Sequence, residues 1–158
     1  MRFRIVVSAL VLLVAGLQLT CAQDSKETAD VTDTISKFYE SIEAGDPAVR
    51  IPLLADDVIL LPNHWTIMEG KEVVSESFRR SAEAIFRIRD REVVQMEIRG
   101  DIAYTVNSYY YTYHLKDHPE QWHKTKNVHI WRRDSSGAWK LAVDIWNSDV
   151  PIEQFSEE

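Results

Sequence analysis

The sequence predicts an α+β fold in which helices pack on one face of a mainly antiparallel sheet. Apolar residues recur at helical spacing early in the chain, alternate with polar residues later, and turn signals separate the alternating segments. Helices followed by a run of antiparallel strands give this architecture, and 158 residues suit one domain. A strongly curved sheet covered by helices on its concave face would enclose a cone-shaped cavity of the kind that holds small ligands.

The first 22 residues have the layout of a secretory signal peptide. Arg2 and Arg4 precede an apolar stretch from Ile5 to Leu17. This stretch is too short to span comfortably a hydrocarbon core of about 30 Å. We therefore expect an exported protein that is periplasmic or secreted.

Two kinds of processing fit this segment. Thr20 and Ala22 form a small-x-small cleavage site, which would leave Gln23 as the first residue. Alternatively, Cys21 would be the lipidated first residue of a lipoprotein, a pattern that Gln18 and Thr20 match poorly. Plain cleavage is the favoured interpretation.

The charge of the exported chain excludes several partners. Without Arg2 and Arg4, 16 of the 18 basic residues remain against 25 acidic ones, a net charge of −9. Phosphate binding favours a basic surface, so we expect no nucleic-acid partner, and no membrane contact unless Cys21 is lipidated. A chain that begins at Gln23 contains no cysteine, so its hydrophobic core would stabilise it without a disulfide.

The sequence predicts three helices. Residues 23–30 are polar and are predicted to form a short tether before the domain, residues 31–149. The apolar residues of the first helix form one stripe, Gly45 stops it, and Asp46-Pro47 starts a short second helix that Pro52 ends. The predicted buried stripes are Val31, Ile35, Phe38 and Ile42 in the first helix, and Val74, Phe78 and Ile85 in the third.

The strands are predicted from period-two alternation and flanking turns. Asn63–Glu69 is predicted to be a loop, Asp134–Gly137 a hairpin turn, and residues 150–158 a loose tail. The predicted strands are Val58–Leu61, a segment with Val94, Met96 and Ile98 on one face, Ile102–Leu115, Lys126–Arg133 and Ala138–Trp146.

Several short motifs, taken in order, resemble the SnoaL-like, or nuclear transport factor 2-like, superfamily across residues 31–149. The matching segments are residues 38–46, 54–58, 61–63, 69–74, 100–104, 131–133, 137–141 and 144–148. The resemblance implies a cone-shaped α+β barrel that is commonly a homodimer built through the outer face of its sheet. It leaves function open, because the fold hosts isomerases, dehydratases, cyclases, hydrolases and proteins without catalysis.

One enzymatic mechanism of this superfamily matches the sequence poorly. Ketosteroid isomerases use an Asp base near the end of the first strand, with a Tyr and a protonated Asp as oxyanion donors. Alignment on the resembling motifs puts Pro62 at the position of the base and Phe38 at the position of the helix tyrosine. We therefore disfavour that mechanism, unless the alignment is off by one residue and Tyr39 faces inward.

The long strand Ile102–Leu115 offers polar side chains to a cavity. Alternate residues share a face, and in the resembling proteins the face that includes Ala103 is the one towards the helices. This assigns four side chains to the cavity: Thr105, Asn107, Tyr109 and Tyr111. Plain sheet packing or a dimer face is the competing interpretation.

Asp144 is the strongest candidate for chemistry. It lies in a strand between apolar neighbours, and a buried carboxylate is costly unless it is paired. If the last two strands pair around the turn at 134–137, then His129 or Lys126 falls opposite it. An Asp–His pair could take a proton from a carbon acid or activate a water, whereas a buried Asp bound to backbone or Arg would be purely structural.

Large side chains near these residues suit a pocket for a flat apolar ligand. The predicted walls and lid are Asn63, Trp65, Met68, Trp131 and Trp146, with Lys126 beside them. Ordinary core packing explains each of the large apolar side chains equally well.

The sequence predicts neither a metal site nor a cofactor. His114, His118 and His123 cluster around a loop with Asp117 and Glu120, but they lack the spacing of a zinc site. The sequence also contains no phosphate-cradling glycine-rich loop.

Three functions remain open at this point. The first is an exported protein that binds a small apolar or aromatic molecule in its cone-shaped pocket. The second is an acid/base enzyme of the isomerase, cyclase or dehydratase type that uses Asp144 with His129 or Lys126. The third is a non-catalytic dimeric interaction module whose outer sheet face carries Tyr104 and Tyr110.

Overall fold

A computed structural model describes residues 26–149, so the predicted signal peptide and tail lie outside the described residues. Within them, three helices accompany one sheet, as predicted, and the sheet has six strands. The helices are α1 (residues 26–43), α2 (Pro47–Arg50) and α3 (Lys71–Arg80), and the strands are β1 (Leu54–Leu61), β2 (Met68–Glu69), β3 (Ile85–Arg99), β4 (Ile102–His114), β5 (His123–Arg133) and β6 (Trp139–Ser148).

The sheet has the strand order β2-β1-β6-β5-β4-β3. Only β1 and β6 are parallel, and the other four pairings are antiparallel. The prediction of a mainly antiparallel sheet is therefore confirmed, while its strong curvature stays a prediction. None of the helices in the described part of the chain is long and apolar enough to cross a membrane.

The first two helices follow the predicted signals, with one correction. Gly45 adopts φ +62°, a left-handed conformation that glycine tolerates after a helix. Asp46 caps α2 by accepting a hydrogen bond from the Ala48 amide at 2.9 Å, and Pro52 lies in the 3₁₀ turn that follows. Residues 26–30 belong to α1, so the predicted polar tether was wrong over this part.

The boundary between α3 and β3 differs from the prediction. The helix ends at Arg80, and Ile85 is the first residue of β3 rather than part of the helix stripe. Two register shifts interrupt the β3–β4 pairing, one between Arg89 and Glu92 and one between Val93 and Gln95. Such bulges break the period-two alternation, which explains why the sequence pattern becomes clear only from Val94 onwards.

Two other strands begin earlier than predicted, and one strand was not predicted. β1 begins at Leu54, and β5 begins at His123. The predicted loop Asn63–Glu69 contains the two-residue strand β2. Two-residue strands are too short to show an alternating pattern, so the sequence alone did not reveal β2.

The inner face of the sheet carries the core and several polar groups. On β4, Ala103, Thr105 and Asn107 are fully buried and Tyr109 is nearly so, which is the face predicted for the cavity. A bulge in β6 alters its alternation, because Ile130 pairs with Val143 while Trp131 pairs with Leu141. The extra residue brings Leu141 and Asp144 to the same face, although an unbroken strand would place them on opposite faces.

The first prediction concerns this buried face. Leu141→Ala is expected to lower the free energy of unfolding by about 2–5 kcal/mol, because it leaves a cavity under the helices. Val49→Ala is the control, since Val49 is 47% exposed on α2, and it should change stability by about 0.5 kcal/mol or less. Urea unfolding measures both, and equal effects would contradict the burial described here.

Candidate functional site

A histidine and an aspartate face each other at the centre of the inner sheet surface. His129 of β5 and Asp144 of β6 are direct cross-strand partners, with Nε2 and Oδ1 3.1 Å apart. The side chain of His129 is 1% exposed and that of Asp144 is 12% exposed. The pair is therefore shielded from bulk water, while the carboxylate keeps a small accessible surface.

Asn127 connects this pair to the helical layer. Its Nδ2 lies 2.6 Å from His129 Nε2, 3.5 Å from Asp144 Oδ1 and 3.4 Å from the Tyr39 hydroxyl. The amide therefore touches all three other members of one buried cluster. Hydrogen-bonded networks in a low dielectric hold their members in a defined arrangement, which is what proton transfer requires.

The surroundings of His129 determine where its hydrogen lies. Nδ1 is fully buried and has no hydrogen-bond partner among residues 26–149, whereas Nε2 faces a carboxylate. A hydrogen on Nδ1 would be an unsatisfied buried donor, so the neutral ring carries its hydrogen on Nε2 and donates it to Asp144. With hydrogen on Nε2, the Asn127 amide turns its oxygen to this N–H, and its nitrogen then no longer donates to Asp144 or Tyr39.

Tyr39 of α1 is the helical member of the cluster. It is 5% exposed, and its ring lies 5.6 Å from that of His129 and 5.9 Å from that of Tyr109. Burial raises the pKa of Tyr39 and of Tyr109 above the ordinary value. Both hydroxyls are therefore protonated at neutral pH and can act as hydrogen-bond donors.

The position of Tyr39 corrects the comparison with ketosteroid isomerases. Phe38 and Tyr39 are adjacent yet both buried, and Tyr39 is the one that reaches the polar cluster. Phe38 instead packs edge-on against His129 and Trp131. A tyrosine is thus present on the first helix, although Pro62 still supplies no side-chain base.

Two of the predicted site residues do not join this cluster. Lys126 lies on the opposite face of β5, where its ammonium group pairs with Asp149 and its side chain is 58% exposed. The predicted contact between Lys126 and Asp144 is therefore wrong, because strand alternation separates the two. Trp65 is 73% exposed in the loop after β1 and is not a wall of the cluster.

The remaining predicted residues lie at the edge of the cluster or beneath it. Asn63 donates to the Ser148 hydroxyl at 3.3 Å, and Thr105 accepts from Asn107 at 3.1 Å. Trp131 is fully buried, so it belongs to the core. Three half-buried side chains pack against that core and form an apolar margin: Met68, Tyr111 and Trp146.

Two members of the cluster, Asn127 and Tyr39, are not among the site residues predicted from the sequence. Asn127 shares the β5 face with His129, so strand alternation was the available signal. Tyr39 was considered only as an alternative, because alignment on the turn at Gly45 placed Phe38 inward. Two adjacent inward residues on one helix are possible since both flank the same buried stripe.

A small cavity lies on the outer side of Tyr39. It has a volume of about 220 Å³ between α1 and the bulged part of β3, and its lining includes Tyr39, Ile88 and Arg91. The Arg91 guanidinium lies 4.4 Å from the centre of the Tyr39 ring. Tyr39 therefore separates this solvent-facing cavity from the buried His129–Asp144 pair.

A larger cavity of about 460 Å³ lies elsewhere, between β1 and the β5–β6 hairpin. Its charged side chains are largely paired with one another, as Lys71 is with Asp56 and Arg132 is with Asp57. Because these charges neutralise one another, we do not take this cavity as the candidate site, although it is the larger of the two. Across residues 26–149, no three His, Cys, Asp or Glu side chains converge in a way that could hold a metal ion.

Several solved structures with the same fold belong to proteins whose names mention an enzymatic activity. No protein-family model matches the sequence, and neither does any curated protein. A ketosteroid isomerase-like protein from Erwinia carotovora is 16% identical, with a TM-score of 0.69 over 78% of this chain and 96% of that one. A candidate dehydratase of the NTF2-like family from Streptomyces avermitilis is 19% identical, with a TM-score of 0.67 over 81% and 99%.

A third solved structure with this fold is also named for a dehydratase. A candidate scytalone dehydratase from Novosphingobium aromaticivorans is 8% identical, with a TM-score of 0.67 over 82% of this chain and 89% of that one. Identities this low show the shared fold and leave the activity open. The chain has the NTF2-like, ketosteroid isomerase-like fold.

Proposed function

We propose that the protein is an acid/base enzyme that acts on a small, largely apolar or aromatic molecule. The observation that carries this proposal is the direct pairing of His129 with Asp144 in a buried cluster that also contains Tyr39. An enzyme and a simple ligand-binding protein would both bind such a molecule. The paired carboxylate and imidazole favour catalysis.

Stability alone gives little reason for this pair. Replacing a buried polar or ionic pair by well-packed apolar residues is often neutral or stabilising, whereas removing one partner is costly. The pair also occupies the middle of the inner sheet face, where Leu141 and Trp131 show that apolar side chains fit. A catalytic role therefore explains the presence of this polar pair better than a contribution to stability does.

The proposed step is a proton transfer from carbon. The Asp144 carboxylate takes a proton from a carbon next to a carbonyl, and the C–H electron pair becomes an enolate. His129 continues to donate its Nε2–H hydrogen bond to Asp144 Oδ1, and this hydrogen bond orients the carboxylate base. The neutral Tyr39 hydroxyl, 3.4 Å from the Asn127 amide, can donate a hydrogen bond to the oxygen on which charge develops. Returning the proton to another carbon is an isomerisation, and delivering it to a departing hydroxyl is a dehydration.

The names of the similar structures agree with this chemistry. Isomerase-like and dehydratase assignments belong to those proteins, and both reactions move protons at carbon. Under 25% identity the agreement is supporting only, since this fold also occurs in proteins of unknown function. The contacts between His129, Asp144 and Tyr39 remain the main argument.

The second prediction tests the base. Asp144→Asn should slow deuterium uptake into small aromatic and cyclic ketones by about 10²–10⁴-fold, because it removes the proton acceptor. Proton NMR in D₂O measures the exchange without requiring knowledge of the natural substrate. Asp149→Asn is the matched control, since Asp149 pairs with Lys126 on the outer face.

An exchange rate in Asp144→Asn close to that of the unmodified protein would exclude Asp144 as the base. A loss of equal size in Asp149→Asn would mean that the assay reports general damage. Retained binding of a ketone by Asp144→Asn, with exchange lost, would separate catalysis from simple ligand binding.

The third prediction tests the donor. Tyr39→Phe should lower the same exchange rate by about 10²-fold, because one hydrogen bond to the developing oxyanion is lost. Tyr113→Phe is the control, since Tyr113 is 55% exposed on β4. An unchanged rate in Tyr39→Phe would assign Tyr39 a packing role only.

We also propose that the protein is exported and forms a homodimer. The support is the predicted signal peptide and a row of apolar side chains on the outer sheet face, where Val106 pairs with Val128 and Val128 with Ile145. Native mass spectrometry of protein purified from its own host should show two chains that begin at Gln23. A single chain, or a lipid mass on Cys21, would contradict this form.

A further inference from the structure

A second site is indicated by an arginine within the helical layer. Arg50, the last residue of α2, is 8% exposed. Among residues 26–149, its guanidinium forms no ion pair within 4.0 Å, and its Nε is fully buried without a hydrogen-bond partner. A buried arginine normally binds carboxylates or carbonyls through several N–H groups, so this arrangement is unusual.

The surroundings of Arg50 hold it in place without neutralising it. The guanidinium lies 3.9 Å from the centre of the Phe78 ring on α3. Asp46 is the acidic residue with an electrostatic effect on it, but Asp46 Oδ1 accepts the Ala48 amide at 2.9 Å as the cap of α2. Burial lowers the pKa of Arg50 to about 10, so the group remains charged at neutral pH.

We propose that Arg50 binds an oxyanion carried by a small molecule, either a carboxylate or a phosphate group. A buried cation is costly unless an anion compensates it, and the structure supplies the cation without its partner. The planar guanidinium can donate two parallel hydrogen bonds to such a group, and the Phe78 ring fixes its plane. This site lies among α2 and α3 and does not depend on the proposed chemistry at Asp144.

Titration of the purified protein with inorganic phosphate and, separately, with benzoate tests the proposal. Both titrations are run against chloride at matched ionic strength. The Nε–H signal of Arg50 in ¹H–¹⁵N spectra should move in a saturable way with at least one anion, and the midpoint of thermal unfolding should rise. Phosphate alone or benzoate alone would each support the site and would show which source of the oxyanion it takes.

Variants of Arg50 distinguish binding from packing. Arg50→Met should lose the anion response and unfold at the same temperature as the unmodified protein or higher without anion, because it removes an uncompensated buried charge. Arg50→Lys keeps the charge without the planar fork, and it should bind the anion at least about tenfold more weakly. Arg80→Met is the control, since Arg80 is exposed and paired with Glu76.

Two results would overturn the proposal. One is the absence of a saturable response of Arg50 to either anion in the unmodified protein. The other is a response that persists in Arg50→Met, which would place the anion elsewhere. Neither result bears on proton exchange at Asp144, so the two proposals can fail separately.

Discussion

The contact between His129 and Asp144 depends on the register of the β5–β6 hairpin, and the rest of the buried polar cluster is arranged around that contact. The hairpin turn and a bulge in the β5–β6 pairing set this register, and the bulge adds one residue to β6. If the same sequence paired without this bulge, counting from Trp131 and Leu141, Asp144 would lie opposite Val128 instead of His129. A single irregularity therefore decides whether the carboxylate meets the imidazole or solvent.

Packing around the pair supports the same arrangement. Phe38 and Trp131 contact the His129 ring edge-on, and Tyr39 and Asn127 complete the polar contacts. Such a shell excludes water, which strengthens each electrostatic interaction inside it and makes an unpaired polar group expensive. The His129–Asp144 pair is therefore enclosed, while the cavity lined by Tyr39 and Arg91 opens to solvent.

Much of this could be predicted from the sequence, for identifiable reasons. The order of helices and strands follows from local periodicity and from turn residues such as Gly45 and Asp134. The cavity face of β4 followed from alternation and from the resemblance to known proteins, while the choice of His129 or Lys126 as partner of Asp144 came from counting back from one turn. The alternation of β5 puts Lys126 and His129, three residues apart, on opposite faces of the strand.

Other features depend on tertiary contacts that local patterns do not show. The bulges in β3 hid the start of that strand at Ile85, and adjacent residues Phe38 and Tyr39 both proved to face inward. The isolation of Arg50 could not be predicted, because its sequence neighbours do not indicate that α3 buries it. Export and dimer formation remain predictions from the sequence and from the exposed sheet face.

The tautomer of His129 tests directly whether its imidazole donates a hydrogen bond to Asp144. Nitrogen-15 NMR of the imidazole ring distinguishes a hydrogen on Nε2 from one on Nδ1. We expect hydrogen on Nε2, donated to Asp144, and a marked change of that signal in Asp144→Asn. Hydrogen on Nδ1, or an Nε2 signal that is the same in Asp144→Asn, would contradict it.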